Sequence, residues 1–241
     1  LKNNPRQNLK MKTAGHSIRC GCVLLCLLAG TASAQRITFQ SLPAGWTVRG
    51  KPFTKAAIFE IQDDPATPGH RWLSGISDNA SATLTSGGPL DIDLKKTPIL
   101  RWRWRATVLP QGGDGRDPEK DDQAIGIYIS SGGRFKQQSI AYCWETQPPA
   151  GSEGTVQCAR ILAVKWIALR DESHADGETF FIEERNLAED FKKAFGDIPD
   201  RIGIGISCNS QYTGTRSEAQ LDWIEFVETP VAAPVSETTF D

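Results

Sequence analysis

The chain has 241 residues with 27 basic and 29 acidic side chains, and five of the basic residues but no acid fall within its first 34 positions. Setting that segment aside leaves 22 basic against 29 acidic residues, a net charge of about −7. Such a chain lacks the clustered cations that phosphate neutralisation requires, which excludes nucleic acid as a partner. No later stretch has the ~20 apolar residues of a membrane-crossing helix, so no membrane span is expected.

Residues 1–10 precede Met11 and read as an over-extended start. From Met11, the basic residues Lys12 and Arg19 are followed by an apolar run, Val23 to Ala29, and by the small-residue tripeptide Ala32-Ser33-Ala34. That order is the basic region, apolar region and cleavage site of a secretory signal peptide. Residues 11–34 are therefore expected to be a signal and the mature protein to be periplasmic or secreted. Residues 35–229 are expected to form a single domain, and the Pro-, Ala-, Ser- and Thr-rich stretch 230–241 a disordered tail.

Within the domain, period-two patterning dominates and predicts strands over 81–85, 99–108, 124–130, 139–146, 164–170, 179–184, 202–208 and 221–227. Clusters such as Ser86-Gly87-Gly88-Pro89 and Gln147-Pro148-Pro149-Ala150-Gly151 carry turn chemistry between them. One helix is predicted: Asn186 caps a segment in which Leu187, Phe191 and Phe195 recur every four residues, and Gly196 with Pro199 ends it. The expected fold is all-β, a jelly-roll-like antiparallel β-sandwich with one short amphipathic helix in the C-terminal third.

Alternation then sorts side chains by face. In Arg101-Trp102-Arg103-Trp104-Arg105 the tryptophans take one face, expected to be the core, and the arginines the other. Ile125, Ile127 and Ile129 point inward, leaving Asp122, Ala124, Gly126 and Tyr128 outside. Ile202, Ile204 and Ile206 likewise leave Gly203, Gly205 and Ser207 outside, and Asp222 is expected opposite Trp223. Glycines inside strands mark close approach of a backbone or ligand. The outward arginines, acids and glycines thus fit either cross-strand ion-pair ladders or a shallow ligand groove. The candidate ligand-binding residues are Arg103, Asp122, Tyr128, Glu145 and Asp222, with Trp144 as a stacking ring.

Three cysteines remain beyond the signal: Cys143, Cys158 and Cys208. Export permits a disulfide, and three thiols allow one bridge. Sequence alone does not choose the pair, but Cys143 and Cys158 lie on successive predicted strands and are favoured. No zinc-ligand spacing occurs, and no cofactor is expected. The acidic loop Asp114 to Asp122 invites comparison with a calcium site, yet it lacks EF-hand spacing and contains two cations. Neither a G-x-S-x-G elbow nor an H-E-x-x-H helix is present, so catalytic residues are assigned to none.

The series Ser81-Ala82-Thr83-Leu84, Leu100-Arg101-Trp102-Arg103-Trp104, Asp121-Asp122-Gln123-Ala124, Tyr142-Cys143-Trp144, Asn186 and Glu189-Asp190-Phe191 with Phe195-Gly196 resembles the bacterial family DUF3047. The resemblance runs through most of Phe39 to Phe226 and implies a fold and a periplasmic setting, but no reaction. One departure stands out: the turn Ser207 to Gly214 lacks the acids that relatives carry there, which argues against a metal role for it. The leading expectation is a non-catalytic, carbohydrate-binding-module-like sandwich with a glycan or envelope ligand. A polysaccharide hydrolase or lyase using Asp122 with Glu145 or Asp222 is the first alternative, and requires two carboxyls about 5–9.5 Å apart across a cleft. A structural envelope or interaction protein is the second.

Overall fold

The computed structural model describes residues 34–133, 136–158 and 161–228. The expected start segment, the signal apart from Ala34, and the C-terminal tail lie outside the described residues. Thirteen strands are described, numbered in chain order: β1 Gln35–Thr38, β2 Thr47–Gly50, β3 Ile58–Asp63, β4 Arg71–Asp78, β5 Ser81–Thr85, β6 Ile99–Val108, β7 Ile125–Gly133, β8 Lys136–Trp144, β9 Glu153–Cys158, β10 Leu162–Arg170, β11 Phe181–Asn186, β12 Gly203–Asn209 and β13 Arg216–Val227. Among the described residues the single α-helix, α1, spans Leu187–Phe195.

They form a β-sandwich. A six-stranded sheet has the order β11-β6-β13-β4-β3, with β1 also on β13. The long β13 serves two partners on one edge: β4 pairs with Arg216 to Leu221, and β1 takes over from Trp223 to Phe226. The seven-stranded sheet has the order β2-β5-β12-β7-β8-β10-β9. All pairings are antiparallel except β8 with β10, which run parallel. After β8 the chain skips one strand position, lays down β9 at the sheet edge and returns as β10 to fill the gap.

That crossover corrects the expected Cys143–Cys158 disulfide. Cys143 on β8 sits opposite Ala168 of β10, whereas Cys158 on β9 sits opposite Leu162, six residues away along the same strand. With strands ~4.8 Å apart and a rise of ~3.3 Å per residue, the two Cα atoms are separated by about 20 Å. A disulfide needs them within about 7 Å. Cys143 is a buried free thiol, as is Cys208.

The inner faces interdigitate around aromatic rings. Trp102 and Trp104 of β6 are fully buried, as expected, and meet Tyr142 and Trp144 of β8. Trp102 stacks on Tyr142 with centroids 5.1 Å apart, and Trp104 meets Trp144 edge-on at 5.7 Å. The isoleucines of β7 and β12 complete this layer. The helix forms as its sequence dictates. The Asn186 side chain accepts the Glu189 N–H at 3.1 Å, and Gly196 closes the helix in the left-handed region at φ 91°. Helix α1 docks through Asp190, which accepts 2.6 and 2.7 Å hydrogen bonds from the Tyr142 hydroxyl and Arg185.

Candidate functional site

The outward positions of the two sheets do not meet. Strands β6, β7 and β12 each turn one face to the core between the sheets, so the arginines of β6 and the glycines of β7 and β12 are both outward but lie on opposite sides of the molecule. The single polar face expected from alternation is therefore two faces.

The outer face of the six-stranded sheet is an ion-pair and aromatic ladder. Arg103 pairs with Asp222, Arg101 with Glu225 at 3.4 Å, and Arg71 with Asp63 at 2.6 Å. The Phe180 ring lies beneath Arg103 and Arg105, with centroid distances of 4.3 and 4.4 Å. Opposite Trp104 and Arg103 of β6, strand β13 carries an extra residue between Leu221 and Trp223. This bulge turns Asp222 and Trp223 to the same side, where Trp223 receives the Arg36 guanidinium at 4.2 Å. The expectation that Asp222 and Trp223 oppose each other is corrected by that one inserted residue.

Asp222 is 5% exposed and also meets His70 Nε2 at 2.7 Å, while His70 Nδ1 meets Asp64 at 2.9 Å. The Asp64 hydrogen bond, with support from Asp222, raises the His70 pKa above its ordinary value. Charged His70 therefore stabilises the fold fully below the unfolded pKa of about 6.5, and that contribution disappears as pH rises through the raised folded value. His70→Gln is expected to destabilise the protein more at pH 5.5 than at pH 8.5. Denaturant titration at the two pH values checks this, and an equal loss at both would refute a charged histidine.

The other candidates divide as follows. Trp144 is not available as a stacking ring: it is fully buried, with its indole N–H donating to the Asp171 carbonyl at 3.1 Å. Asp122 is also fully buried and latches the β12–β13 turn by accepting from the Thr213 backbone N–H at 2.7 Å and its hydroxyl at 2.9 Å. Glu145 is fully buried under the 110–121 loop, where one oxygen accepts the Gly115 N–H at 3.1 Å and the other has no partner. Burial drives its pKa up to about 8 against that hydrogen bond, with the Asp121 and Asp114 charges adding to the rise. In the same loop Asp114 is clamped by Arg116 at 2.7 and 2.8 Å, and Asp117 pairs with Lys120 at 3.5 Å. Among the described residues, no group of three or more His, Cys, Asp or Glu side chains is placed to hold a metal ion.

Of the six candidates, only Tyr128 lines a large opening. A groove of about 1020 Å³ crosses the outer face of the seven-stranded sheet. Its floor comes from outward positions of β5, β7, β8 and β12, among them Thr83, Tyr128, Ser130, Ser139 and Gly205, and Arg49 and Arg201 also line it. Tyr128 lies flat because Gly126, two residues back on the same face, has no side chain. A Cβ there would sit 2.8 Å from the ring. Trp166 lies over Gly154 in the same way, with a would-be Cβ 2.5 Å from its indole nitrogen. Trp166 packs with Ala141, Cys143 and Ala168 into a small second apolar cluster against which Tyr128 rests. Ser130 and Ser139 share a 2.8 Å hydrogen bond across β7 and β8.

Sequence reasoning missed Thr83, Ser130, Ser139 and Arg49. Ser130 follows Tyr128 by two residues, so alternation marks it; Arg49 sits on β2, a four-residue strand whose positions are all exposed, which carries no periodic signal. Neither Asp122, Glu145 nor Asp222 lines the groove, so the carboxyl pair considered for hydrolysis or elimination is not assembled across it.

Comparison with known proteins gives a family and a set of distant folds. The family model DUF3047, described as a protein of unknown function, matches residues 44–225. No curated protein sequence matches the chain. Among solved structures, the chain is similar to the family 11 carbohydrate-binding module of a Clostridium thermocellum cellulosomal cellulase, with a TM-score of 0.43, 8% identity, and 81% and 95% of the two chains covered. It is also similar to the xyloglucanase domain of NopAA, a type three effector from Sinorhizobium fredii, in complex with cellobiose, with a TM-score of 0.45, 9% identity, and 80% and 97% covered. A winged bean acidic lectin complexed with methyl-α-D-galactose gives a TM-score of 0.39 at 11% identity, with 82% and 100% covered.

Proposed function

The chain belongs to the DUF3047 family, whose description assigns no activity, and we propose from the groove itself that it is an exported, non-catalytic glycan-binding module. The observation that carries this reading is the flat Tyr128 ring set among hydroxyl groups in an open groove of about 1020 Å³. A pyranose ring has an apolar face of C–H groups and an equator of hydroxyls. A flat aromatic ring suits the first, and serine, threonine and guanidinium groups suit the second. Because the ring is already held flat by Gly126 and the neighbouring cluster, little side-chain freedom is lost on binding.

The test is calorimetry of the mature domain against purified soluble polysaccharides, both neutral (xylan, xyloglucan, mixed-linkage β-glucan) and acidic (polygalacturonate, alginate). Tyr128→Ala is expected to weaken binding about tenfold or more, the equivalent of ~1.4 kcal/mol, while Tyr128→Phe, which keeps the ring, retains most of it. A wild-type domain that binds none of these glycans would overturn the reading.

A further inference from the structure

The groove does not end at Tyr128. A smaller opening of about 180 Å³ shares Arg49, Thr83 and Tyr128 with it and continues past Lys51, Asp121 and Ser207. Lys51 is in turn shared with a cleft of about 880 Å³ at the end of the sandwich, bordered by Phe53, Lys55, Asn79, Gln211 and Tyr212. The first two openings run along β5 and its neighbour β12 from Thr85 to Ser81, and the third lies beyond the start of β5, at the Asn79 turn. The strand stretch alone covers ~13 Å at ~3.3 Å per residue, and the rim cleft extends the path to the length of several sugar rings.

The rim cleft has three features that the fold does not require. First, the only two non-glycine residues with positive φ among the described residues both border it: Phe53 at 61° and Asn79 at 45°. Asparagine tolerates this region, but phenylalanine is disfavoured there, and such strain collects where function holds it in place. Second, Phe53 is 110% exposed and Tyr212 is 47% exposed, so two aromatic residues stand in solvent at one cleft. Phe53 gains nothing from burial that offsets its backbone. Third, Gln211 Oε1 is shielded from solvent and has no hydrogen-bond partner. Rotating that amide toward a ligand hydroxyl forfeits no bond at the oxygen. Lys51 lies 4.9 Å from the Tyr212 ring centroid and is the hinge between cleft and groove.

We infer that the rim cleft is a distal sugar subsite, with Phe53 and Tyr212 as its rings, so that the domain takes an internal stretch of an extended glycan chain rather than a chain end. This rests on the glycan-binding reading of the groove. It assigns the ligand class as an unbranched polysaccharide long enough to pass from Tyr128 over Lys51 to Tyr212.

The experiment is a length series, disaccharide to octasaccharide, of xylo-oligosaccharides and oligogalacturonides, titrated against wild type, Phe53→Gly, Tyr212→Ala and Tyr128→Ala. Wild type is expected to gain affinity with length beyond the tetrasaccharide. Phe53→Gly and Tyr212→Ala are expected to lose that gain, about tenfold for the longest ligand, while binding the shortest competent ligand as wild type does. Tyr128→Ala weakens all lengths. Phe53→Gly is also expected to melt at or above the wild-type temperature, since glycine suits a φ of 61° and the exposed ring packs on nothing; a clear drop would overturn the strain argument. If both rim variants bind the octasaccharide as wild type does, the distal subsite is wrong and the groove reading survives. If wild type binds no member of either series and none of the parent polysaccharides, the reading beneath it fails instead.

Discussion

Glu145→Gln is expected to remove a fall in stability of about 4 kcal/mol that the wild-type protein undergoes between pH 5 and pH 8.5. The Glu145 carboxyl is fully buried, and burial raises its pKa to about 8. In the unfolded chain it titrates near 4.3. Between those values the folded protein binds a proton that the unfolded chain has released. The unfolded state then binds fewer protons, and stability declines as pH rises, by about 1.4 kcal/mol per unit. Glutamine keeps an oxygen to accept the Gly115 N–H and carries no charge at any pH. Wild type and variant are expected to lie within about 1 kcal/mol of each other at pH 5, with the variant well ahead at pH 8.5, as read by urea denaturation. His70 contributes a decline of the same sign, but it is present in both proteins and cancels in the difference. Parallel profiles would show that Glu145 is ionised throughout, contrary to its burial.

Trp104→Ala is expected to cost about 3–5 kcal/mol, a large fraction of the ~5–15 kcal/mol that holds a typical domain folded. The ring is fully buried, edge-on to Trp102 at 5.5 Å and Trp144 at 5.7 Å, so its removal opens a cavity between the two sheets. The loss is also polar. The indole N–H donates to Glu183 at 3.0 Å, and that carboxylate holds Arg170 of the facing sheet at 2.7 Å. Trp104→Phe keeps much of the ring volume but not the hydrogen bond, and is expected to fall between wild type and alanine. Thermal unfolding followed by tryptophan fluorescence orders the three. A melting temperature for alanine within a degree or two of wild type would show that the sheets close over the site.

Most of the strands that line the core were legible because burial imposes its period on sequence. Alternating isoleucines in β7 and β12, and tryptophans in β6, mark strands and their inner faces without reference to any partner. Helix α1 was equally local: the Asn186 cap, the four-residue recurrence of Leu187, Phe191 and Phe195, and Gly196 at the end act within eleven residues. Strands β1, β2, β3, β4 and β9 were not read: β1 and β2 are four-residue, largely exposed elements with little apolar pattern, while β4 is buried on both faces through Trp72 to Gly75 and so shows no alternation. Family membership was also legible, since it rests on residue order.

What sequence did not decide was which outward faces coincide. Alternation separates inside from outside on each strand, but it has no means of assigning strands to sheets. Arg103 and Tyr128 are both outward, yet β6 and β7 belong to different sheets, so one ladder and one groove took the place of a single polar face. The same limit governs Cys143 and Cys158. They are neighbours in strand order along the chain but are separated in space by β10, because the pairing of distant segments is set by the packing of the whole sandwich. The bulge at Asp222 and the flat seat of Tyr128 over Gly126 are likewise fixed by cross-strand register and packing, which only the tertiary structure supplies.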